Sequence, residues 1–359
     1  MTDQAQHVEP MLPPKARRHQ IIRRFRVEPA DVGIDGFVGG ARLLAWIEKA
    51  GHANAARWSH RRCVVVSVGN LHLDRPISAG EFVELHASLV YARHSSMHIL
   101  VTVYSGDPAE ADGLHTTQCP IIFVAVDANG TAVEVPRWTP VTMLELQRQR
   151  QARVRISTRT RIEDAMAAED YLADGAALRV TRRFLAAPAD GGGNAVHGGQ
   201  VLRWIDESAH ACGSEWTGAH VVTSYVAGIR FCRPIGLGDN VEVTARVVHT
   251  GPRSVHIAIH VTAASRGAEP ILVAQGLVVV VARDGHGRAL PVPTWKPAAG
   301  EDLRLDRHAR SLIELRHCFE PFTTATAVTE PARFHRATVT RARRAMRARH
   351  VVSQTPPAA

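Results

Sequence analysis

Five histidines could suggest a metal site, namely His52, His98, His197, His210 and His256. A zinc site on a helix needs an H-x-x-x-H spacing and a third ligand close by, and no pair of these histidines meets both conditions. The sequence also lacks a G-x-S-x-G segment, which disfavours a Ser-His-Asp hydrolase of that type. We therefore expect no bound metal and packed or surface histidines, except for His197, which directly precedes a Gly-Gly pair.

The Gly-Gly pairs, Gly39-Gly40 and Gly198-Gly199, each precede a segment with helical character. The first N–H groups of a helix have no partner inside the helix, and the helix dipole makes this end positive. Because glycine leaves these groups accessible, each pair could bind a carbonyl oxygen that gains negative charge during a reaction. A tight turn or close packing is the alternative interpretation of the same glycines.

The cysteine and charge patterns exclude several classes of protein. The five cysteines are an odd number without a C-x-x-C spacing, so we expect reduced thiols in the cytoplasm rather than a disulfide framework or a zinc ribbon. The net charge of +9 comes from six arginines between Arg148 and Arg161 and from a basic C-terminal stretch, which leaves the rest of the chain near neutral. A basic nucleic-acid groove is therefore not expected. The polar segment Met1–Arg18 predicts neither a signal peptide nor a membrane anchor.

An internal repeat organises the chain. With an offset of 158 residues, Trp46–Val103 matches Trp204–Val261 without a gap, and 19 of the 58 pairs are identical. Upstream, Gly39-Gly40 matches Gly198-Gly199 with an offset of 159. A repeat unit of about 120 residues is too long for a solenoid and indicates a duplicated domain.

The residue pattern of each copy predicts one helix followed by four antiparallel strands. In the first copy a short strand near Ile21–Val27 precedes a helix from Gly40 to Trp58. Alternating, β-branched segments follow at Cys63–Leu73, Phe82–Tyr91, His98–Tyr104 and Pro120–Val126. Since helix and sheet must bury their apolar faces on each other, we expect a sheet curled around the helix.

Three segments of the second copy, Asn194–Glu207, Val221–Thr223 and Arg233–Asp239, resemble the hotdog acyl-CoA thioesterases. The resemblance covers about residues 18–140 and 175–297 and is more specific in the second copy. It implies an α+β fold of two tandem hotdog domains, each an antiparallel sheet wrapped around one long central helix. It also implies hydrolysis of acyl-CoA to free acid and CoA across the domain interface, without a metal or redox cofactor.

The resemblance further implies that a loop residue of one domain faces a helix acid of the other. By position these catalytic residues are Asn194 with Glu48, and Asp35 with Asp206. Two facing carboxylates resist double ionisation, so we expect Asn194 and Glu48 to form the working site and the other pair to be altered. The predicted substrate-binding residues are His197, Gly198, Gly199, Gly39, Gly40, Arg253 and Ser254.

Arg253 and Ser254 are predicted to bind substrate because the corresponding stretch lies against CoA in relatives, and arginine binds phosphate groups well. The alternative is that these residues form a solvated strand end. One departure concerns an acid that many relatives carry after the Val-Val-Thr strand start. Gly69 and Ala227 stand there in this chain, so whatever that acid does in the relatives is missing or replaced here.

The predicted organisation is a disordered segment 1–17, hotdog domain 1 at 18–140, a helical connector 141–174, hotdog domain 2 at 175–297 and a basic tail 298–359. We expect the tail to be flexible and dispensable, although its helical stretches, Arg304–Glu314 and Thr338–Arg349, could cap the body. We expect a cytoplasmic homo-oligomer, with a trimer of double hotdogs as one candidate, that spans no membrane. The alternatives are a non-catalytic protein that binds or senses acyl-CoA and, without a convincing Asp/His motif, a hotdog dehydratase.

Overall fold

The structure is a computed structural model that describes residues 19–323, except 34, 74, 110–112, 176, 193, 285–286, 299 and 318–320. The predicted disordered segment 1–17 and the predicted helix Thr338–Arg349 lie outside the described residues. Within the described part of the chain, no helix combines the length and the apolar character needed to cross a membrane.

The two halves repeat one order of elements. The first half consists of β1 (Gln20–Arg26), α1 (Gly40–Ser59), β2 (Arg62–Val68), β3 (Leu71–His72), β4 (Phe82–Arg93), β5 (Ser96–Gly106) and β6 (Leu114–Val126). After the connecting helix α2 (Met143–Ala167), the second half consists of β7 (Arg179–Leu185), β8 (Gly191–Gly192), β9 (Ala195–Val196), α3 (Gly198–Thr217), β10 (Val221–Phe231), β11 (Asn240–Thr250), β12 (Val255–Ala264) and β13 (Ile271–Ala282). Helix α4 (Gly300–His317) follows.

The two sheets join into one antiparallel sheet of eleven strands. Ten of them follow the order β1-β4-β5-β6-β2-β10-β13-β12-β11-β7, and β3 pairs with β10 beside this path. At the seam, β10 pairs with β2, where Val68 lies opposite Ile229 and Ser67 opposite Arg230, and it also pairs with β3 of the first half. The arrangement confirms the predicted tandem hotdog fold, and it places the central helices of both domains side by side on one face of the sheet.

The apolar periodicity of α1 and α3 determines which face each helix buries. Helix α1 places Leu43, Leu44, Ile47 and Ala50 in the core, and α3 does the same with Val201, Leu202, Ile205, Ala209 and Cys212. These positions recur at three- and four-residue intervals, which gives each helix one apolar stripe toward the sheet. Burial of each large side chain contributes about 1.5–3 kcal/mol, so the helices are fixed firmly enough to position other residues.

The opposite face of the second sheet is covered by α4 and the end of α2. Along β13, Val278 and Val280 belong to the core around α3, whereas Leu277 and Val279 face the other way. This second layer contains Ile162 and Met166 of α2 and Leu305, Ala309 and Leu312 of α4. The expectation of a flexible tail is therefore wrong for Gly300–His317, because its apolar stripe buries against the sheet.

A buried ion pair also binds the tail to domain 2. The Arg246 guanidinium donates to Asp302 Oδ1 at 3.2 Å, and neither side chain is more than 2% exposed. Arg246 donates further to the backbone oxygens of Tyr171 and Ala173 in the connector. Separating the pair would leave one charged group in the interior without its partner, which is strongly unfavourable. The pair therefore holds α4 and the connector against strand β11.

Candidate active site

Each central helix presents an acid to the first turn of the other helix. Asp206 lies in the middle of α3, and its Oδ2 accepts a hydrogen bond of 3.2 Å from the backbone N–H of Ala41 in α1. Glu48 lies in the middle of α1 and accepts one from the backbone N–H of Gly199 in α3. Both carboxylates thereby cap a helix N-terminus of the neighbouring domain, where the helix dipole favours negative charge.

The Asp206 side of the seam contains additional polar groups. The Thr223 hydroxyl donates to Asp206 Oδ1 at 2.5 Å, and His210 Nε2 lies 3.0 Å from Thr223 Oγ1. His210 Nε2 is 3.8 Å from Asp206 Oδ2. Asp206 and His210 are one turn apart on α3, and Thr223 is on the adjacent strand β10, so domain 2 supplies the whole group.

Glycine at position 40 is required for this approach. A Cβ atom on Gly40 would lie 2.9 Å from Thr223 Cβ and 3.2 Å from Asp206 Oδ1. Since Cβ contacts below 3.0 Å essentially do not occur, a side chain here would push α1 away from the carboxylate. Gly39, by contrast, faces open space.

A cavity of about 460 Å³ opens at Asp206. Its lining combines residues of both domains, and Asp35, Gly39 and Gly40 contribute to it together with Asp206, His210 and Thr223. Its charged lining also includes Arg42, Arg75, Arg203, Arg283, Asp31 and the titratable His220. The predicted partners Asp35 and Asp206 therefore share one cavity, although the Asp35 carboxylate accepts from the N–H of Phe37 in its own loop.

The Glu48 side differs in its chemistry. Val65 occupies the position that corresponds to Thr223, and its Cγ1 would meet a Cβ on Gly198 at 2.5 Å. Burial raises the pKa of Glu48 to about 7, opposed by the hydrogen bond from Gly199. A carboxyl group with this pKa carries a proton in about half of the molecules at neutral pH. The Glu48 side thus retains the carboxylate and the helix N-terminus but not the hydroxyl.

The structure places the other predicted residues as follows. Asn194 is exposed in the turn between β8 and β9, and no hydrogen bond joins it to Glu48 among the described residues. His197 is the exposed N-cap residue of α3, and its charge contributes to lowering the pKa of His52 after the larger effect of burial. Arg253 and Ser254 lie in the turn between β11 and β12, where Ser254 Oγ is 3.4 Å from His256 Nε2.

The alignment of the two Gly-Gly pairs was shifted by one residue. Gly40 and Gly198 are the first helical residues of α1 and α3, and the next residues, Ala41 and Gly199, make the equivalent hydrogen bonds. Gly39 therefore corresponds to His197, and the extra residue of the repeat lies in the loop before the helix. The ungapped offset of 158 applies from the start of the helix to Val103.

Sequence reasoning missed two residues of this site, Thr223 and His210. Thr223 was recognised only as part of a strand motif, and His210 was expected to be packed or exposed. The spacing of Asp206 and His210, four residues apart on a predicted helix, was the available signal, because such residues lie on one face.

The fold and the seam define a tandem hotdog protein with a carboxylate at each inter-domain helix N-terminus. The model of the thioesterase superfamily matches residues 35–111 and 193–269, one match in each half. The acyl-CoA thioester hydrolase YciA of Salmonella typhimurium is 34% identical over 116 residues, which cover 31% of this chain and 87% of the relative. The cytosolic acyl coenzyme A thioester hydrolase of Rattus norvegicus is 22% identical over 308 residues, 80% of each chain.

A solved structure supports the same architecture. The putative oleoyl thioesterase from Lactobacillus plantarum covers 73% of this chain and 96% of its own, with 10% identity and a TM-score of 0.52. At this identity the likeness concerns the fold alone. Taken with the sequence matches, the chain belongs to the thioesterase superfamily, and the predicted family and enzyme class, a thioester hydrolase, are confirmed.

Proposed function

We propose that this protein hydrolyses an acyl-CoA thioester to a free acid and CoA in the cavity at Asp206. The observation that carries the proposal is the position of Asp206, a domain 2 carboxylate held at the N-terminus of a domain 1 helix and open to a cavity of about 460 Å³. Relatives named acyl-CoA thioester hydrolase support the substrate class.

The reaction needs a base for water and a stabiliser for the oxyanion. Asp206 takes a proton from a water molecule that attacks the thioester carbon. The carbonyl oxygen becomes an oxyanion that is stabilised by first-turn N–H groups of α1 other than that of Ala41, which Asp206 already accepts, and by the positive helix end. Collapse of the tetrahedral intermediate breaks the carbon–sulfur bond, and the proton held by Asp206 neutralises the departing CoA thiolate.

The Asp206 site fits this role better than the Glu48 site, which reverses the expectation from sequence. Asp206 is oriented by Ala41 and by the Thr223 hydroxyl, so its two oxygens have fixed partners. The Glu48 side has Val65 in place of Thr223, so its carboxyl group has the Gly199 N–H as a partner but no hydroxyl to orient it. Asn194 and Glu48 remain a proposed second site, and Asp35 a proposed partner of Asp206.

The cavity lining suits the CoA moiety of the substrate. Arg75, Arg203 and Arg283 line the cavity, and guanidinium groups bind phosphate oxygens in bidentate fashion. Arg75 is held by the backbone oxygen of Ser105 at 3.0 Å. We propose that these arginines bind the CoA phosphates. Arg253 and Ser254, the candidates from the sequence, remain a second proposed phosphate site.

We also propose that the protein is a homo-oligomer and that it is located in the cytoplasm. The name of the rat relative, a cytosolic hydrolase, supports the location.

The test is thiol release from a panel of acyl-CoAs of different chain length, with wild type, Asp206→Asn, Glu48→Gln and Asn194→Ala. We expect Asp206→Asn to lower kcat by roughly 10²- to 10⁴-fold, the usual contribution of general acid–base catalysis, and the other two to stay within about threefold. Loss of turnover in Glu48→Gln or Asn194→Ala with an active Asp206→Asn would place catalysis at the other site. Binding of acyl-CoA by wild type without thiol release would instead indicate a sensor.

A further inference from the structure

We propose that His210 is a positioning residue of this reaction, which donates a hydrogen bond to Thr223 and thereby keeps the Thr223 hydroxyl directed at Asp206. The inference rests on the proposed function, in which Asp206 is the base. His210 lies on the wall of the cavity. No step of the proposed reaction uses it as a base or as a nucleophile.

The direction of each hydrogen bond follows from the chemistry of the groups. An ionised carboxylate only accepts, so the 2.5 Å contact between Thr223 Oγ1 and Asp206 Oδ1 is a bond donated by the hydroxyl. The hydroxyl has one hydrogen, and its oxygen must therefore accept from His210 Nε2 at 3.0 Å. His210 accordingly carries its hydrogen on Nε2, and a continuous chain of donors runs from the imidazole to the carboxylate.

His210 acts through Thr223 rather than on the carboxylate directly. Its Nε2 lies 3.8 Å from Asp206 Oδ2, beyond hydrogen-bonding distance. The side chain of His210 is 31% exposed and that of Asp206 is 7% exposed. His210 therefore lies between the open cavity and the buried carboxylate, where it restricts the rotation of Thr223.

Fixed orientation of Asp206 matters because a base must point its free lone pair at the attacking water. The Ala41 N–H occupies one oxygen of Asp206 and the Thr223 hydroxyl the other. If Thr223 turns away, the carboxylate loses one of these two constraints. The chemical step then slows while the arginine-lined part of the cavity is unchanged, so we expect the effect in kcat and not in KM.

The repeat provides a natural control. His52 occupies the position in α1 that matches His210 in α3, but its Nε2 lies 3.2 Å from the backbone oxygen of Cys63. Val65 stands where domain 2 has Thr223, so this copy has no hydroxyl for His52 to orient. Replacement of His52 changes the same residue type at the same helix position without touching the Asp206 group.

The test compares His210→Leu, His210→Gln, Thr223→Val, the double variant His210→Leu/Thr223→Val and the control His52→Leu. Loss of one orienting hydrogen bond should lower kcat of His210→Leu by about tenfold with KM within about threefold. Gln places an N–H at a similar reach and should restore kcat to within about threefold of wild type. Because His210 acts through Thr223, its replacement in the Thr223→Val background should change kcat by less than about twofold.

Three results would overturn the inference: a His210→Gln variant as slow as His210→Leu, a double variant whose loss is the product of the two single losses, or an equal loss in His52→Leu. Thermal unfolding of each variant checks that the fold is retained. The Asp206→Asn variant separates the two proposals. If it stays active, the proposed function fails; if it is inactive while His210→Leu is fully active, only the positioning role fails.

Discussion

Asp206 and Ala41 are 165 positions apart in the chain, yet the carboxylate of one accepts a 3.2 Å hydrogen bond from the backbone of the other. This bond crosses the seam between the two domains and joins the base to the helix end that would hold the oxyanion. Neither domain contains the complete site, because the base belongs to domain 2 and the helix N-terminus to domain 1. The duplication thus provides in one polypeptide the interface that a homodimer of hotdog units would form.

Gly40→Ala should damage both stability and catalysis. The added methyl group would lie 2.9 Å from Thr223 Cβ, so α1 must move away from Asp206. Overpacking of this kind costs about 1–3 kcal/mol, and we expect a lower free energy of unfolding together with a kcat reduced by roughly tenfold or more. Denaturant unfolding and thiol-release kinetics measure the two effects.

Gly39→Ala is the matched control for this change, since a Cβ on Gly39 meets open space. It should lower stability by less than about 1 kcal/mol, the usual cost of alanine at a helix N-cap. Equal damage from both substitutions would show that the approach at Gly40 is not the cause.

Glu48→Gln should stabilise the protein increasingly as the pH rises. Burial raises the pKa of Glu48 from 4.5 to about 7, so the folded state retains a proton that the unfolded state has lost between these values. The contribution of Glu48 to stability therefore falls as pH rises from about 4.5 to 7 and is constant above that range. The neutral amide removes this term, and the difference reaches roughly 3 kcal/mol at most.

Urea unfolding of wild type and Glu48→Gln at pH 5 and pH 8 measures this effect. The gain from the substitution should be larger at pH 8. A gain that is the same at both pH values would contradict the raised pKa of Glu48.

Truncation after Pro297 should destabilise domain 2, contrary to the expectation that the tail is dispensable. It removes Asp302, the buried partner of Arg246, and uncovers Leu277 and Val279. Asp302→Ala alone should cost about 3–5 kcal/mol, because it leaves the buried Arg246 guanidinium without its opposite charge. Arg307→Ala, at an exposed position of the same helix, should change the free energy of unfolding by less than about 0.5 kcal/mol.

Arg283→Ala should weaken substrate binding if the cavity arginines hold CoA phosphates. Loss of one charge-assisted contact corresponds to about 1.5–3 kcal/mol, or roughly a tenfold or greater rise in KM with little change in kcat. Arg288→Ala is the control, since Arg288 is exposed and pairs with Asp284 in the same turn. Arg253→Ala tests the sequence-based candidate in the same assay, and an unchanged KM in Arg283→Ala with a raised KM in Arg253→Ala would place the phosphates at the other turn.

Much of the fold was accessible from sequence because its signals are local. The gapless match of Trp46–Val103 with Trp204–Val261 indicated the duplication. The alternation of apolar and polar residues along β4, β5 and β6 indicated strands that bury one face. The acids Glu48 and Asp206 were placed correctly on the helices because their spacing from Trp46 and Trp204 is fixed within the helix.

The loops before the helices were harder to interpret. A glycine-rich segment, Gly191–Gly193, and an extra residue leave the register undetermined, and nothing local forces Asn194 toward Glu48. Helix α4 was underestimated because its burial depends on a sheet face that no short segment of sequence displays.

The amino-acid sequence by itself determined two hotdog units, their central helices and the carboxylate on each, since periodicity and repetition act between neighbours along the chain. Only the tertiary structure decided which carboxylate gains a hydroxyl and an imidazole, because Thr223 reaches Asp206 through the packing of β10 on α3 and Ala41 reaches it across the seam. The two halves have similar sequences but different sites, since one valine at position 65 removes the hydroxyl that Thr223 provides in domain 2.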